Sequence, residues 1–323
     1  MITPLLFFRH SLVAKNINVK SAILSVRILL FFLFLNHNLL GQTINGKVLD
    51  ANTLSTAPYS TLEIKGKGIG WVSDSMGSFS LEIPKDIISE NDTLLIRSLG
   101  FNSAEVVLKN ILNITTIEFK LKPSIFQLDS IVIKPKNSSF IKGVTLEKTQ
   151  VNYRIKDYSQ IAVYMDNDDG LKAVIQNVSF FISREGKPEA PFRIRFYELQ
   201  EDGSPGRDVT KENIIVTPKK GNAWFKVDVS KYKILVPKEG YFVAMEWIFT
   251  DKKYYFDTLI HGENLRSYGQ ILGKILNEKI TPNSWVYTLG YGWLKHDAPS
   301  KYQSQGKTTF YNAMINSEIK PIE

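Results

Sequence analysis

The sequence predicts an all-β protein in which an N-terminal leader precedes two β-sandwiches. Three observations predict it. From Gln42 onward, apolar residues recur at period two in short runs, and Gly, Asn, Asp and Pro punctuate them every ten residues or so. No helix-length amphipathic stretch occurs between Gln42 and Pro135. Finally, the one long uncharged apolar run of the chain lies near its start, behind basic residues.

That run, residues 28–35, follows Arg27 and is broken by Asn36, His37 and Asn38 before Leu39, Leu40 and Gly41. A basic segment, a short apolar stretch and a small residue read as a secretory signal, residues 1–41, cut after Gly41. The alternative is a retained signal anchor. A span of about 20 residues would then have to take in Arg27. With the leader removed, the sequence predicts no stable transmembrane span, since no other long apolar stretch follows.

Composition narrows the class. The 323 residues are 43% hydrophobic and 22% charged, as in ordinary globular proteins, which sets aside both disorder and a polytopic membrane protein. Net charge is +8, but Arg9, Lys15, Lys20 and Arg27 in the leader supply four of the positives and no acid offsets them. The scattered remainder gives no clustered basic face, so nucleic acid is not an expected partner. Cysteine is absent, which removes disulfides, thiolate nucleophiles and a lipidated cysteine. Export without disulfides suits a Gram-negative cell envelope, periplasmic or at the outer-membrane or cell surface.

The first sandwich spans residues 42–134. Its elements run Ile44-Asn45-Gly46-Lys47-Val48-Leu49-Asp50, Leu62 with Ile64, Phe79-Leu81-Ile83, Leu94 with Ile96, Val106 with Leu108, and Phe119 with Leu121. Asp74-Ser75-Met76-Gly77 reads as a hairpin turn, in which Asp bonds nearby backbone and Gly accepts positive φ. Gly66, Gly68 and Gly70 lack a following helix or a Walker lysine, so they read as a turn or bulge and not a phosphate loop. A last strand at 131–133 leads into the polar, Pro-containing segment 135–143, the expected linker.

These elements, with Gly66 to Leu81, Leu94 to Phe101 and Leu128-Asp129-Ser130-Ile131-Val132-Ile133, resemble the carboxypeptidase-regulatory-like family, a transthyretin-like fold. The resemblance implies an accessory module without peptidase chemistry. The zinc carboxypeptidase pattern His-Xaa-Xaa-Glu is absent, since His261 is followed by Gly262, Glu263 and Asn264. In this family the module often precedes the plug of TonB-dependent receptors, and residues 128–133 match the segment found there. The rest of the chain is too short for such a barrel, so an accessory to a TonB-dependent uptake system is what the resemblance allows.

The second sandwich is expected over residues 144–323. Val174, Val178, Phe180 and Ile182 fall on one face, Phe192, Ile194 and Phe196 alternate with Arg193 and Arg195, and Tyr241, Val243, Met245, Trp247 and Phe249 form another long strand. This part is similar to jelly-roll domains of bacterial envelope proteins. Residues 255–279 are the least regular and are expected to hold a short helix or a surface loop.

Candidate chemistry is sparse. Trp285, Tyr287, Tyr291 and Trp293, at period two on one strand, would align into a platform for stacking on sugar faces, with core packing as the alternative. Asp166, Asp168 and Asp169 could offer hard oxygen ligands to calcium, but Gly170 arrives one residue early for an EF-hand and the bidentate Glu is missing; a solvated turn is the alternative and no other cofactor is expected. Glu246 lies between Met245 and Trp247 and is expected to pair with Arg193 or Arg195. The sequence thus predicts a non-catalytic exported envelope protein that binds or scaffolds, its partner a glycan or an outer-membrane protein. The alternative is a carboxylate-dependent glycan hydrolase using Glu246 with Asp228.

Overall fold

The computed structural model describes residues 42–84, 86–124, 138–146, 151–153, 159–260, 263–277, 283–296 and 310–322. The leader 1–41 and the expected strand at 131–133 lie outside the described residues. The described chain is all-β, with single-turn helices only. None of its helices is long and apolar enough to cross a membrane.

The first sandwich is built from β1 (Gln42–Asp50), β2 (Thr61–Ile64), β3 (Ile69–Val72), β4 (Ser78–Ile83), β5 (Thr93–Arg97), β6 (Ala104–Val107) and β7 (Thr116–Leu121). One sheet has the order β4-β1-β7, with β1 and β7 parallel in the register Val48↔Phe119. The facing sheet is β3-β2-β5-β6. Alternation dictates what each buries. Phe79, Leu81 and Ile83 of β4 point inward while Ser80 and Glu82 stay wet. They meet Leu62, Ile64, Leu94 and Ile96 from the other sheet, and Phe79 stacks on Phe119 at 5.5 Å. Each such side chain contributes about 1.5–3 kcal/mol by leaving water. The Asp74 turn forms as expected: its carboxylate accepts from the Met76 and Ser78 amides at 2.8 and 2.9 Å, and Gly77 sits at φ 70°.

The second sandwich holds β8 (Phe140–Gly143), β9 (Val151–Tyr153), β10 (Gln160–Met165), β11 (Ala173–Gly186), β12 (Phe192–Leu199), β13 (Pro205–Asp208), β14 (Ile214–Val216), β15 (Ala223–Asp228), β16 (Tyr241–Glu246), β17 (Tyr255–Ile260), β18 (Glu263–Tyr268), β19 (Gln270–Asn277), β20 (Ser284–Thr288), β21 (Gly292–Lys295), β22 (Phe310–Ala313) and β23 (Ile315–Pro321). One sheet runs β13-β12-β16-β10-β20-β21 and the other β22-β19-β11-β23-β8. Successive long strands alternate between sheets, β10 to β11 to β12 to β15 to β16, as in a jelly roll. The inner faces meet in an apolar core that includes Ile161, Val163, Phe180, Phe196, Val243, Met245 and Trp247.

Three expectations change. The linker 135–143 ends inside the second sandwich, because Phe140–Gly143 is a strand paired with β23. Within the stretch expected to be a helix or a loop, the described residues 255–260, 263–268 and 270–277 are strands. They form the antiparallel hairpin β17-β18 followed by β19, a ladder strand of the second sheet. Trp285 to Trp293 is not one strand but a hairpin, β20 and β21, turning at Leu289-Gly290-Tyr291. Gly290 and Gly292 have φ of 81° and 80°, so they make the turn.

Candidate binding cleft

The sheet β12-β16-β10-β20 buries both of its faces. Its inner face is the apolar core. Its outer face carries Arg193, Arg195, Tyr197, Gln160, Glu246 and Tyr287, most of them nine-tenths or more buried. Register explains the grouping: Gln160 lies between Glu246 on one side and Tyr287 on the other, and Arg193 is opposite Glu246. Glu246 accepts from Arg193 Nε at 2.6 Å and Nη2 at 2.9 Å, and Gln160 Nε2 lies at 3.4 Å. Arg195 Nη1 stands 3.5 Å away, while Arg195 Nε and Nη2 donate to the two Asp208 oxygens at 2.9 and 2.5 Å. The Tyr197 hydroxyl donates to Gln160 Oε1 at 2.5 Å. Burial alone would raise the Glu246 carboxyl, but Arg193 and then Arg195 more than offset it and hold it below the ordinary carboxylate range.

This face meets the first sandwich through β2, whose four residues are all buried. Leu62 and Ile64 enter their own core, while Thr61 and Glu63 point at the second sandwich. Glu63 accepts from the Tyr287 hydroxyl at 2.6 Å and the Gly290 amide at 2.7 Å, and it pairs with Arg97. The Arg97 guanidinium lies 4.9 Å above the Tyr287 ring. Arg193 donates to the Tyr59 carbonyl at 3.2 Å, crossing between sandwiches. The Gly66-Gly68 turn seats on the β20-β21 turn, with the Gly66 amide bonded to the Gly290 carbonyl at 2.8 Å. A Cβ on Gly290 would stand 2.7 Å from the Gly68 nitrogen, so this approach requires glycine. The glycine cluster is therefore a docking turn.

Beside these contacts the two sandwiches leave a cleft of about 1300 Å³. Tyr59, Thr61 and Arg97 line one wall, and Gln160, Tyr197, Tyr287 and Trp293 the other. Tyr59 and Lys233, both in the lining, hold the left-handed backbone at φ 53° and 51°. Such strain costs about 1–3 kcal/mol and gathers at functional sites. Trp293 is half-buried and packs edge-to-face against Tyr197 and Tyr287 at 5.4 and 5.2 Å.

Of the four expected platform rings, only Tyr287 and Trp293 reach the cleft. Trp285 packs on Phe242, and Tyr291 is 60% exposed on the turn. Tyr287 is 2% exposed and its hydroxyl is committed to Glu63, so the four rings do not form one open row. The Asp166 loop does not gather ligands either. Lys142 pairs with Asp166 at 2.7 Å, Asp168 and Asp169 are exposed, and no group of three potential metal ligands forms among the described residues. The Asn167 side chain closes the loop through Leu171 and Pro237. Glu246 and Asp228 lie in different sheets, and the exposed Asp228 caps the Ser230 amide. They cannot flank one glycosidic bond, which removes the hydrolase alternative built on them.

The family model of the CarboxypepD_reg-like domain matches residues 44–133, so the first sandwich is such a domain. None of the curated proteins matches the chain in sequence. Among solved structures, the chain is similar to the cysteine protease and lectin-like domains of Cwp84, a surface-layer-associated protein of Clostridium difficile. The TM-score is 0.36 at 10% identity, over 82% of this chain and 59% of that one. It is also similar to carbohydrate-binding modules from the β-sandwich superfamily, with a TM-score of 0.20 at 9% identity, over 79% of this chain and 99% of that one. Both scores lie below 0.5, and neither likeness bears on what the cleft holds.

Proposed function

We propose that this protein is a non-catalytic, exported envelope protein that binds a glycan in the cleft between its two sandwiches. The cleft itself carries the reading. Small-molecule sites occupy about 300–1,000 Å³, so about 1300 Å³ leaves room for several linked rings. Half-buried Trp293 and Tyr59 offer aromatic surface, and Thr61, Ser98, Asn102, Ser103 and Gln200 offer hydroxyl and amide groups suited to sugar hydroxyls. The buried carboxylates are occupied. Glu246 is bound by two arginines and Glu63 by a tyrosine, an amide and an arginine, so neither is poised to exchange a proton with a substrate.

A glycan array followed by titration of tryptophan fluorescence tests this. Trp293→Ala should weaken the best glycan by about tenfold or more, in line with about 1–3 kcal/mol for a stacked ring. No glycan bound, unchanged affinity in Trp293→Ala, or turnover of the bound glycan would each overturn the proposal. Amino-terminal sequencing of the protein from envelope fractions tests export, with Gln42 as the expected first residue.

A further inference from the structure

We infer that the ligand of this cleft is an acidic oligosaccharide, its anionic groups taken by Arg97, Lys211 and Lys233. The inference rests on the glycan reading above and adds the charge of the ligand. It comes from pairing off the charges that line the cleft. Arg195 is matched by Asp208 in two parallel bonds, and Arg207 by Glu198 at 2.9 to 3.3 Å. Those four side chains cancel. Arg97 is only partly spent: one nitrogen serves Glu63, its plane covers Tyr287, and its side chain remains 39% exposed. Its Nε and Nη1 hydrogens have no acceptor among the described residues, which leaves donors of the fork for a carboxylate or sulfate.

Lys211 and Lys233 are exposed and carry no ion pair among the described residues. Lys211 packs beside Gly100, in the turn that follows Arg97, where a Cβ on the glycine would lie 3.5 Å from the lysine Cβ. Lys233 is set into the lining by its left-handed backbone just after the turn Ser230–Tyr232. Among the described residues of the lining, the only unpaired acid is Glu212, which is exposed. Arg97 is matched in charge by Glu63 and keeps only its free donors, so among the described residues Lys211 and Lys233 stand against Glu212 and leave the cleft one unmatched positive charge. A neutral ligand would leave that charge unused. An anionic one would gain charge-assisted bonds that are stronger than neutral ones. Aromatic rings and clustered hydroxyls among the cations favour a saccharide over an acidic peptide.

The test is isothermal titration of the mature protein with hexagalacturonate, a heparin-derived hexasaccharide, cellohexaose and hexaglutamate. We expect a carboxylated or sulfated saccharide to bind about tenfold or more tighter than cellohexaose at 0.1 M NaCl. That advantage should shrink toward 1 M, as the screening length falls from about 10 Å to about 3 Å. The first two probes tell carboxylate from sulfate. Lys211→Gln with Lys233→Gln, two exposed sites that leave folding intact, should bring the acidic saccharide to within about threefold of cellohexaose, and Arg97→Lys should fall between. Equal binding of cellohexaose and the acidic saccharides, or an acidic affinity untouched by the double lysine variant, overturns this inference while leaving the glycan cleft standing. Tighter binding of hexaglutamate than of any saccharide overturns it too, and no saccharide binding at all defeats the underlying reading.

Discussion

The two faces of the sheet β12-β16-β10-β20 are made by alternate residues of the same strands and are held by opposite physics. Inward, Ile161, Val163, Ile194, Phe196, Val243 and Met245 fill a mainly apolar core. Outward, Gln160, Arg193, Arg195, Tyr197 and Glu246 are buried almost as deeply, yet they are polar and mutually bonded. Apolar burial is non-directional and roughly proportional to area, so the inner face asks only for volume. The outer face stabilises only while every member has its partner, because a buried charge without one is costly. The cleft opens on the second face, and rigidity there is what keeps its wall in place.

Removing half of the central ion pair should therefore produce the largest effect. Glu246→Ala leaves Arg193 buried and uncompensated, and we expect a loss of about 3–5 kcal/mol in urea denaturation. Replacing both partners together, Arg193→Met with Glu246→Leu, should recover most of that loss, since well-packed apolar residues often match a buried pair. A loss below about 1 kcal/mol for Glu246→Ala would mean that the outer face behaves like the inner one. Acid offers a second reading of the same pair. The folded Glu246 carboxyl is held below its ordinary 4.5, so the stability it adds is full above that pH and fades as pH falls through the lower folded value. Urea midpoints of the wild-type protein should thus drop more steeply below about pH 4.5 than those of Glu246→Gln.

Next in size comes the contact between sandwiches. Tyr287→Phe removes one donor from the buried Glu63 carboxylate and leaves the Gly290 amide and Arg97. We expect a cost of about 1–3 kcal/mol, with the ring and its packing against Trp293 preserved. A neutral result would show that water replaces the hydroxyl and that this interface is wetter than the outer face of the sheet.

The comparison also explains what could be read from sequence. Period two places Glu246 off the Val243-Met245 face and opposite the strand of Arg193 and Arg195, so its pairing was legible from alternation alone. The Asp74 turn was legible for the same local reason. The cleft was not. Tyr59, Arg97, Tyr197 and Lys233 come from four distant segments, and nothing in local periodicity says which wet face of one sandwich covers which wet face of another. Glu63 alternates with Leu62 and Ile64, the signature of a solvent face, yet it is 2% exposed because a second domain covers it. The hairpin at Gly290 was hidden by parity. A three-residue turn sets Tyr287 opposite Trp293, six positions apart, so the spacing imitates one continuous strand. The two glycines with positive φ were the available signal.

The finest test uses two neighbours on β16 that face opposite ways. Met245 and Glu246 are both buried, at 0% and 3% exposure, and each accepts a substitution of nearly its own shape. Met245→Leu keeps volume and apolarity, and on a face that asks only for packing it should cost less than about 1.5 kcal/mol. Glu246→Gln keeps the outline and one acceptor oxygen but removes the charge that balances Arg193 and Arg195, and it should cost more than Met245→Leu. Equilibrium unfolding of the two variants side by side at neutral pH decides the matter. If Met245→Leu proves the more damaging, the apolar face demands shape more strictly than the ionic face demands charge, and the division of labour between the two faces of this sheet is wrong.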